Sequence, residues 1–408
     1  MKKNMDASEL KKSILLMQPT RPILCTTKNE DGSNHVAPFS WINPVSFDPP
    51  RVALALCSKP KKQQSLQNIE RTGEFVVNLP DANVVEKLVE AGVHPDGIVL
   101  LDRHEAGDAP ADDPRRMIAP GLREHIGRHI HDPAERADLA YLAASESGRP
   151  ILVSRALHEA DLVVPIGGCL HPASAGYFGI HGTIFPTFAD ADTLSRFRSL
   201  GSLSDSGNYK QGLVEEANEV AWLLGVMFTI QLLPADAFRV LEVLAGHSEA
   251  VRQRAQRRYE EAWRQSNEGP PASLAVAAIA GEAATQTWQN LGRAVENAGR
   301  LVEDGGAIAV CCELEDVPGP ALKRMAHAES RRRAFREIRR ERPIDALPAA
   351  QIARAIDRFT VYLFSRLAPE VVEDLDMVPI ANPAELARLA RQHKACALLA
   401  NAPCAVLE

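Results

Sequence analysis

The sequence predicts an α/β fold of two lobes, preceded by a separate β-rich segment. The apolar run at residues 162–166 leads directly into Gly167 and Gly168, which is typical of a β-strand that ends in a glycine loop. From there to the C-terminus, helical patterns alternate with short apolar strands, which indicates a parallel or mixed sheet with covering helices. In α/β proteins, loops that follow such strands commonly hold the ligand.

Local signals divide this α/β region into two parts. Residues 213–224 and 248–265 have helical patterns, residues 226–233 read as a buried strand, and Gly-Pro-Pro at 269–271 is the best linker candidate. Beyond the linker, Gly305-Gly306 precedes an apolar run at 307–314. We therefore expect a second glycine loop there, facing the cleft between the lobes. A helix at 384–390 and a terminal strand at 395–399 complete the predicted second lobe.

The N-terminal segment has the pattern of a β-meander. Asp31-Gly32 is a strong turn signal, and Pro49-Pro50 interrupts the pattern a second time. The strands predicted on this basis lie at residues 21–28, 35–47, 51–57 and 74–79.

Composition excludes several classes of protein. The 408 residues carry a formal net charge of −7, which argues against a dedicated nucleic-acid binder. The basic run at 323–342 is interpreted as a solvent-facing helix of mixed charge. The longest apolar run, 221–230, is too short to span a bilayer, and no apolar region follows the charged N-terminus as in a signal peptide. Seven cysteines without a CxxC pair indicate a reducing compartment, so a cytoplasmic location is expected.

The glycine loop carries the candidate chemistry. His171 and His181 lie among Gly176, Gly179 and Gly182, and Cys169 is the cysteine chosen for a test of reactivity. An imidazole with an ordinary pKa of about 6.5 can give or take a proton near neutrality. Spacing alone leaves two interpretations open, a loop folded around a ligand and a plain surface loop with solvated histidines.

The segment HEADLVVPIGGCLHPASAGYFG at 158–179, with supporting matches at 88–104, 130–132 and 273–314, resembles the nickel-pincer-dependent lactate racemases. This resemblance covers residues 88–408 and implies a two-lobed, Rossmann-like fold. It further implies His104 and His171 as catalytic acid and base, a nickel-pincer nucleotide as cofactor, and a small 2-hydroxy acid as substrate. Gln289 and Arg293 are the implied substrate-binding residues, and His171 and His181 the implied metal ligands.

The chain departs from this family at several positions. His181 stands where the family tethers its cofactor through a lysine, and a further metal-ligand histidine falls near Arg196 and Phe197. A lysine of the second lobe corresponds to Gly292, with Arg293 beside it. The family's N-terminal phosphate- and substrate-binding loop has no counterpart.

Residues 10–86 are similar to the first half of a flavin reductase-like, FMN-binding split barrel. The resemblance implies FMN as cofactor, and Lys61 and Lys62 either contact its phosphate or form a solvated turn. An incomplete barrel leaves an open sheet edge, so a homodimer through this half-barrel is expected. The FMN-binding positions implied are Asn34, Ser40, Trp41, Ser58, Lys61, Lys62, Ser65 and Asn68.

Together the two resemblances predict a fusion with domains at 1–87, 88–268 and 272–408. One functional hypothesis is an isomerase, a racemase or epimerase of a small 2-hydroxy acid that works by proton and hydride transfer. The alternatives are a flavin reductase-like, FMN-binding oxidoreductase and a fusion without catalysis. No nucleic acid or membrane partner is expected.

Overall fold

A computed structural model describes most of the chain. The described residues are 23–39, 42–47, 50–54, 64–78, 89, 93–103, 113–145, 148–203, 208–236, 239–265, 269–328 and 330–407. Within these ranges, no helix combines the length and apolar character needed to cross a membrane.

The N-terminal segment is β-rich, as predicted. Strands β1 (Ile23–Lys28), β2 (Asn34–Phe39) and β5 (Val76–Asn78) form an antiparallel sheet of order β2-β1-β5. Strands β3 (Ile42–Phe47) and β4 (Pro50–Leu54) form an antiparallel pair, and helix α1 (Gln64–Thr72) precedes β5. The predicted strand at 35–47 is therefore two strands, and they belong to different sheets.

The Asp31-Gly32 turn is confirmed between β1 and β2. The carboxylate of Asp31 accepts hydrogen bonds from the backbone N–H and the hydroxyl of Ser33, at 2.8 and 2.5 Å. Gly32 has a φ of 83°, in the left-handed region that side chains with a Cβ rarely adopt.

Among its described residues, the first part of the α/β region contains three small sheets formed by its own strands. Strand β6 (Val99–Arg103) pairs in parallel with β7 (Gly127–His131), and β8 (Leu139–Ala144) pairs antiparallel with β9 (Pro150–Ser154). The third sheet has the order β10-β11-β12. Its strands are β10 (Ile166–Gly168), β11 (Phe228–Pro234) and β12 (Val240–His247), and the helices of this part are α2 (Pro120–Arg123), α3 (Arg155–Glu159), α4 (Ala191–Phe197), α5 (Asn208–Leu223) and α6 (Ser248–Trp263).

The strand predicted at 162–166 is observed later in the chain, as β10. Parallel pairing begins at Ile166 opposite Ile230, and it continues through both glycines to Gly168 opposite Leu232. The carbonyl of Pro165 accepts the Ile230 N–H just before the strand. A Cβ on Gly167 would lie 2.3 Å from the Thr183 hydroxyl, so this glycine permits the following loop to pack against the strand.

The second lobe is a parallel α/β sheet of order β17-β16-β15-β14-β18. The chain adds strands outward from β14 on one side and then returns to place β18 on the other, which confirms the predicted fold class. Its strands are β14 (Ala272–Ala278), β15 (Val302–Cys311), β16 (Thr360–Phe364), β17 (Val378–Pro379) and β18 (Cys396–Leu399). Its helices are α7 (Trp288–Ala298), α8 (Pro320–Ala326), α9 (Arg331–Glu341), α10 (Ala346–Ile356), α11 (Pro369–Asp374) and α12 (Pro383–Gln392).

One expectation for this lobe is wrong, and another is correct only in part. Gly305 and Gly306 do not form a loop before a strand, because they lie inside β15, where the register shifts between Ala272 and Leu274 of the neighbouring strand. A Cβ on Gly306 would lie 3.0 Å from two backbone carbonyl oxygens, so this irregularity requires glycine. The basic run at 323–342 is split between α8 and α9.

The C-terminal strand connects the second lobe to the first. Strand β19 (Val406–Leu407) pairs in parallel with β13 (Arg264–Gln265), which directly follows α6. The Tyr259 hydroxyl of α6 donates to the Cys404 carbonyl at 2.7 Å. Tyr259 and Val406 also share an apolar cluster with Cys169, at the start of the loop that follows β10.

Candidate functional site

The glycine loop after β10 turns sharply at His171. The Ser174 N–H donates to the His171 carbonyl at 2.8 Å, and the Ala173 N–H donates to the ring Nδ1 of His171 at 3.3 Å. Because Nδ1 accepts this bond, the neutral ring carries its proton on Nε2. The imidazole lies 6.4 Å from the Tyr259 ring between centroids, and burial lowers its pKa despite the nearby carboxylate of Glu260. His171 is therefore a neutral hydrogen-bond donor at pH 7.

A cavity of about 140 Å³ opens on the far part of the same loop. Two guanidinium side chains, Arg103 and Arg198, line it together with the hydroxyl-bearing Thr183 and Thr187. Four glycines also line it, which leaves backbone accessible to a small ligand. Drug-sized ligands occupy pockets of roughly 300–1,000 Å³, so this cavity suits a smaller, anionic molecule. The remaining lining residues are Gly168, Gly176, Tyr177, Phe178, Gly179, Gly182, Pro186 and Leu194.

His171 and His181 do not line this cavity, although Gly182, which follows His181, does. The ring Nδ1 of His181 lies 2.9 Å from the Asn218 side-chain oxygen, and its Nε2 is buried without a hydrogen-bond partner. If Nδ1 donates its proton to Asn218, Nε2 presents a buried lone pair. Burial lowers the pKa of this imidazole, so it is neutral at pH 7.

Among the described residues, no three histidine, cysteine, aspartate or glutamate side chains form a group that could hold a metal. Phe197 is fully buried and packs edge-to-face on Phe178 and Phe185, with centroids 4.9 and 5.4 Å away. Arg196 forms an ion pair with Glu216. The assignment of His171 and His181 as metal ligands stays a prediction.

The second lobe reaches the His171 loop through helix α7. Arg293 donates from Nε and Nη2 to the Ala175 carbonyl at 2.9 and 2.7 Å, and from Nη1 to the side-chain oxygen of Asn290 at 3.1 Å. Burial lowers the pKa of Arg293 to about 10. Gln289 packs its amide against Gly176, where a Cβ would lie 2.2 Å from Nε2. Both predicted substrate-binding residues therefore contact the loop itself.

Gly292 has a packing explanation. A Cβ there would lie 3.0 Å from Cα of Pro348 and 2.6 Å from the side-chain oxygen of Gln351, both in α10. A long side chain at this position would force α7 and α10 apart, so Gly292 leaves no room for the lysine found at the corresponding position of the resembled family.

Sequence reasoning missed Lys210 in α5. Its ammonium group donates to the carbonyls of Pro172 and Ser174 at 2.6 and 2.8 Å. Burial and the nearby Arg293 lower the pKa of Lys210 to about 8. A single lysine 39 positions after His171 gives no local signal of this contact. Arg103 and Arg198 were missed for the same reason, although Arg103 directly precedes His104.

Cys169 is a core residue. Its side chain is 2% exposed, and burial raises its pKa to about 12. This thiol should therefore react slowly, because the nucleophilic thiolate is scarce at such a pKa and reagents cannot reach it.

Three of the candidate FMN-binding residues lie in the described part of the N-terminal segment. Ser65 and Asn68 are each 1% exposed. The Asn68 amide donates to the Thr27 hydroxyl and to the Asn29 side-chain oxygen at 3.0 and 2.8 Å, so it joins α1 to β1. Asn34 begins β2 and is partly exposed. The described residues do not include the predicted site residues Ser40, Trp41, Ser58, Lys61, Lys62 and His104.

Comparison with protein families finds two matches in the chain. Residues 17–108 match the flavin reductase like domain, and residues 79–208 match the lactate racemase N-terminal domain. The chain is thus similar to a flavin reductase like domain over its first match and to a lactate racemase N-terminal domain over its second. The two matches overlap at 79–108, and the predicted junction at 87/88 falls within this overlap.

Solved structures share the fold of the lactate racemase-like body. The lactate racemase apoprotein of Thermoanaerobacterium thermosaccharolyticum superposes with a TM-score of 0.59 at 17% identity, over 70% of this chain and 72% of that one. A Thermotoga maritima protein from structural genomics gives a TM-score of 0.59 at 13% identity, over 80% and 88%. Such low identities show the fold alone.

Curated relatives match a shorter part of the chain. An uncharacterized protein of Methanothermobacter thermautotrophicus is 32% identical over 100 residues, 24% of this chain and 43% of that protein. Another uncharacterized protein, of Aquifex aeolicus, is 32% identical over 93 residues, which cover 22% of this chain and 47% of that protein. The uncharacterized protein YwrF of Bacillus subtilis is 35% identical over 80 residues, which cover 19% of this chain and 39% of that protein. The match thus spans less than half of each relative.

Proposed function

We propose that the lactate racemase-like body binds a small 2-hydroxy acid in the Arg103–Arg198 cavity and acts on it as a racemase or epimerase. The observation that carries this proposal is the lining of the cavity, two guanidinium groups and two hydroxyls around about 140 Å³. A guanidinium group suits a carboxylate because its planar donors bind both oxygens. Thr183 and Thr187 supply hydroxyls for the substrate's own hydroxyl group.

Proton transfer is assigned to His171 and His104. Residue 104 directly follows Arg103, which lines the cavity, while His171 lies in the loop that forms another wall. Burial keeps His171 neutral with its proton on Nε2, a form that donates a hydrogen bond and that must move this proton to Nδ1 before Nε2 can accept one from the substrate. In the proposed reaction, an imidazole removes the hydroxyl proton while the α-hydrogen would pass as hydride to a bound organic hydride acceptor, which gives the 2-oxo acid. Return of the hydride to the opposite face and of the proton to oxygen would give the other enantiomer and restore the acceptor.

A lysine-tethered nickel pincer does not fit the residues present. His181 cannot form the covalent link of a lysine, and its Nδ1 is already paired with Asn218. Phe197 packs in the core between Phe178 and Phe185, and Arg196 forms an ion pair with Glu216. Neither side chain offers a metal ligand. We therefore derive no catalytic step through this group.

The first experiment is to incubate the purified full chain with single enantiomers of lactate and of larger 2-hydroxy acids. Chiral chromatography measures racemisation, and metal analysis and an absorption spectrum of the same sample identify a bound cofactor. We expect racemisation that is lost in His171→Ala. Arg198→Gln should raise the KM at least tenfold, whereas Arg239→Gln, on an exposed loop, should leave it unchanged. Retained racemisation in His171→Ala contradicts the proposal.

A flavin-binding oxidoreductase is the second candidate, favoured by the match of residues 17–108 to the flavin reductase like domain. On this proposal the half-barrel binds FMN once a second copy of the chain covers its open edge. A two-banded flavin spectrum without nickel, together with a dimer by light scattering, would support it. A colourless protein that has no metal and no activity would favour a fusion without catalysis.

A further inference from the structure

Two cationic side chains from different helices hold the backbone of the His171 turn. Lys210 of α5 donates to the carbonyls of Pro172 and Ser174 at 2.6 and 2.8 Å. Arg293 of α7 donates twice to the next carbonyl, that of Ala175, at 2.9 and 2.7 Å. Lys210 belongs to the same lobe as the turn, whereas Arg293 belongs to the other lobe.

We propose that Lys210 and Arg293 are positioning residues for His171, and that Arg293 makes the placement of this imidazole depend on contact between the two lobes. A catalytic role for the positioned imidazole rests on the proposed function. The positioning of His171 by these two side chains does not. Separation of the lobes would remove Arg293 from Ala175 and leave the turn held by Lys210 alone.

The alternative role for Arg293 is a clamp for the substrate carboxylate. Its Nε and Nη2 are occupied by the Ala175 carbonyl, and its Nη1 by Asn290. A carboxylate would have to displace the carbonyl from this fork, which would release the turn that carries His171. The cavity lined by Arg103 and Arg198 offers a separate place for an anionic ligand.

The close approach of α7 to the loop supports a specific contact. Gly176 has a φ of 73°, and the amide nitrogen of Gln289 lies only 2.2 Å from where its Cβ would be. A buried cation is stable only when its donors find acceptors, and the three carbonyls supply them. The loop and the two helices are thus complementary in shape and in hydrogen bonding.

The test uses ligand-free, full-length protein labelled with ¹³C at the histidine ring carbons. Loss of one signal in His171→Gln assigns the His171 resonance. We expect Arg293→Met and Lys210→Met each to shift or broaden this resonance. Hydrogen exchange of the Ser174 and Tyr177 amides, which are bonded within the turn, should become about tenfold faster, as the loss of a charged hydrogen bond predicts.

Matched controls separate positioning from general damage. Arg366→Met removes an exposed guanidinium group that pairs with Glu313, and Gln211→Met changes the exposed residue next to Lys210. Both should leave the His171 resonance and the two amides unchanged. Arg293→Lys, which keeps the charge but not the fork, should restore part of the native signal and provides a second variant if Arg293→Met does not fold.

Two outcomes would overturn the inference. One is an unchanged His171 resonance and unchanged exchange in both Met variants. The other is an unchanged ligand-free spectrum with a raised KM in Arg293→Met, which would make Arg293 a substrate clamp. Because the test needs no substrate, a shifted resonance in a protein without racemase activity would support the positioning role and contradict only the proposed function.

Discussion

Arg196 and Glu216 form a two-point ion pair between helices α4 and α5, with Nη1–Oε2 and Nη2–Oε1 distances of 2.7 and 2.5 Å. Their side chains are only 12% and 11% exposed. The guanidinium group also lies 4.9 Å from the centre of the Phe197 ring. This pair therefore fixes the two helices that flank the glycine loop, at the position where a metal-ligand histidine was expected.

Removal of one partner should be costly. Arg196→Met leaves the Glu216 carboxylate in a largely buried site with only the half-exposed Arg149 near it, at 3.7 Å. Because Arg149 compensates part of this charge, we expect a cost near the lower end of the range for a broken buried pair, about 3 kcal/mol. Urea unfolding followed by circular dichroism measures the loss. The control is Arg252→Met, which breaks the exposed Arg252–Glu249 pair and should cost less than about 1 kcal/mol. Equal effects of the two substitutions would show that burial of the first pair contributes little.

Gly176 should tolerate alanine less well than another glycine with the same backbone. Gly176 and Gly148 have φ values of 73° and 78°, but a Cβ at Gly148 would meet nothing within 4 Å. We expect Gly148→Ala to cost about 1 kcal/mol from the left-handed backbone alone. Gly176→Ala should cost more, because its Cβ collides with Gln289.

The Gln289 collision has its own test. Adding Gln289→Ala to Gly176→Ala should recover the part of the lost unfolding free energy that the collision causes, as measured by the same urea titration. If the double variant is no more stable than Gly176→Ala, then backbone strain alone explains the loss.

The sequence predicts the kinds of element well, because periodicity is a local property. The helix predicted at 248–265 is α6, and the helix predicted at 384–390 lies within α12. The Asn382 side chain caps α12 by accepting the Glu385 N–H at 3.1 Å. Strand ends are harder, since β10 begins where Ile166 meets Ile230, a partner 64 positions away. The sequence predicts a loop at Gly305-Gly306 because a strand irregularity and a turn both favour glycine.

The candidate site could be located from sequence only in part. The glycines around His171 and His181 indicate the loop from sequence alone, because a backbone that other segments approach closely requires glycine. Lys210, Arg103 and Arg198 reach the loop through packing of distant segments, and nothing beside them in the chain marks them. The same holds for Arg293, whose partner is a backbone carbonyl that any residue would supply.

Cys396, not Cys169, should react first with thiol reagents. Cys396 is exposed at the edge strand β18, whereas Cys169 is 2% exposed with a pKa of about 12. In a Cys57→Ser background, one thiol per chain should react with Ellman's reagent at pH 8 before the others. Cys396→Ser should remove this phase and Cys169→Ser should not. Persistence of the phase in Cys396→Ser would contradict the prediction.

Stability should fall as the pH drops below about 6.5, the ordinary pKa of histidine. Burial lowers the pKa of His131, which is 1% exposed and bonded through Nε2 to the Ala189 carbonyl at 2.9 Å. The unfolded chain therefore binds a proton at a pH where the folded chain does not, so the free energy of unfolding decreases with falling pH through this window. His35, His171, His181 and His247 contribute in the same direction.

His131→Gln isolates one of these contributions. Glutamine keeps a donor for the Ala189 carbonyl but cannot titrate, so the slope of unfolding free energy against pH should decrease by up to about 1.4 kcal/mol per pH unit. Urea titrations at pH 7.5, 6.5 and 5.5 measure this slope for the variant and for the unaltered chain. Identical slopes would mean that His131 already takes up its proton in the folded protein, and that the Nε2 contact with Ala189 offsets the effect of burial.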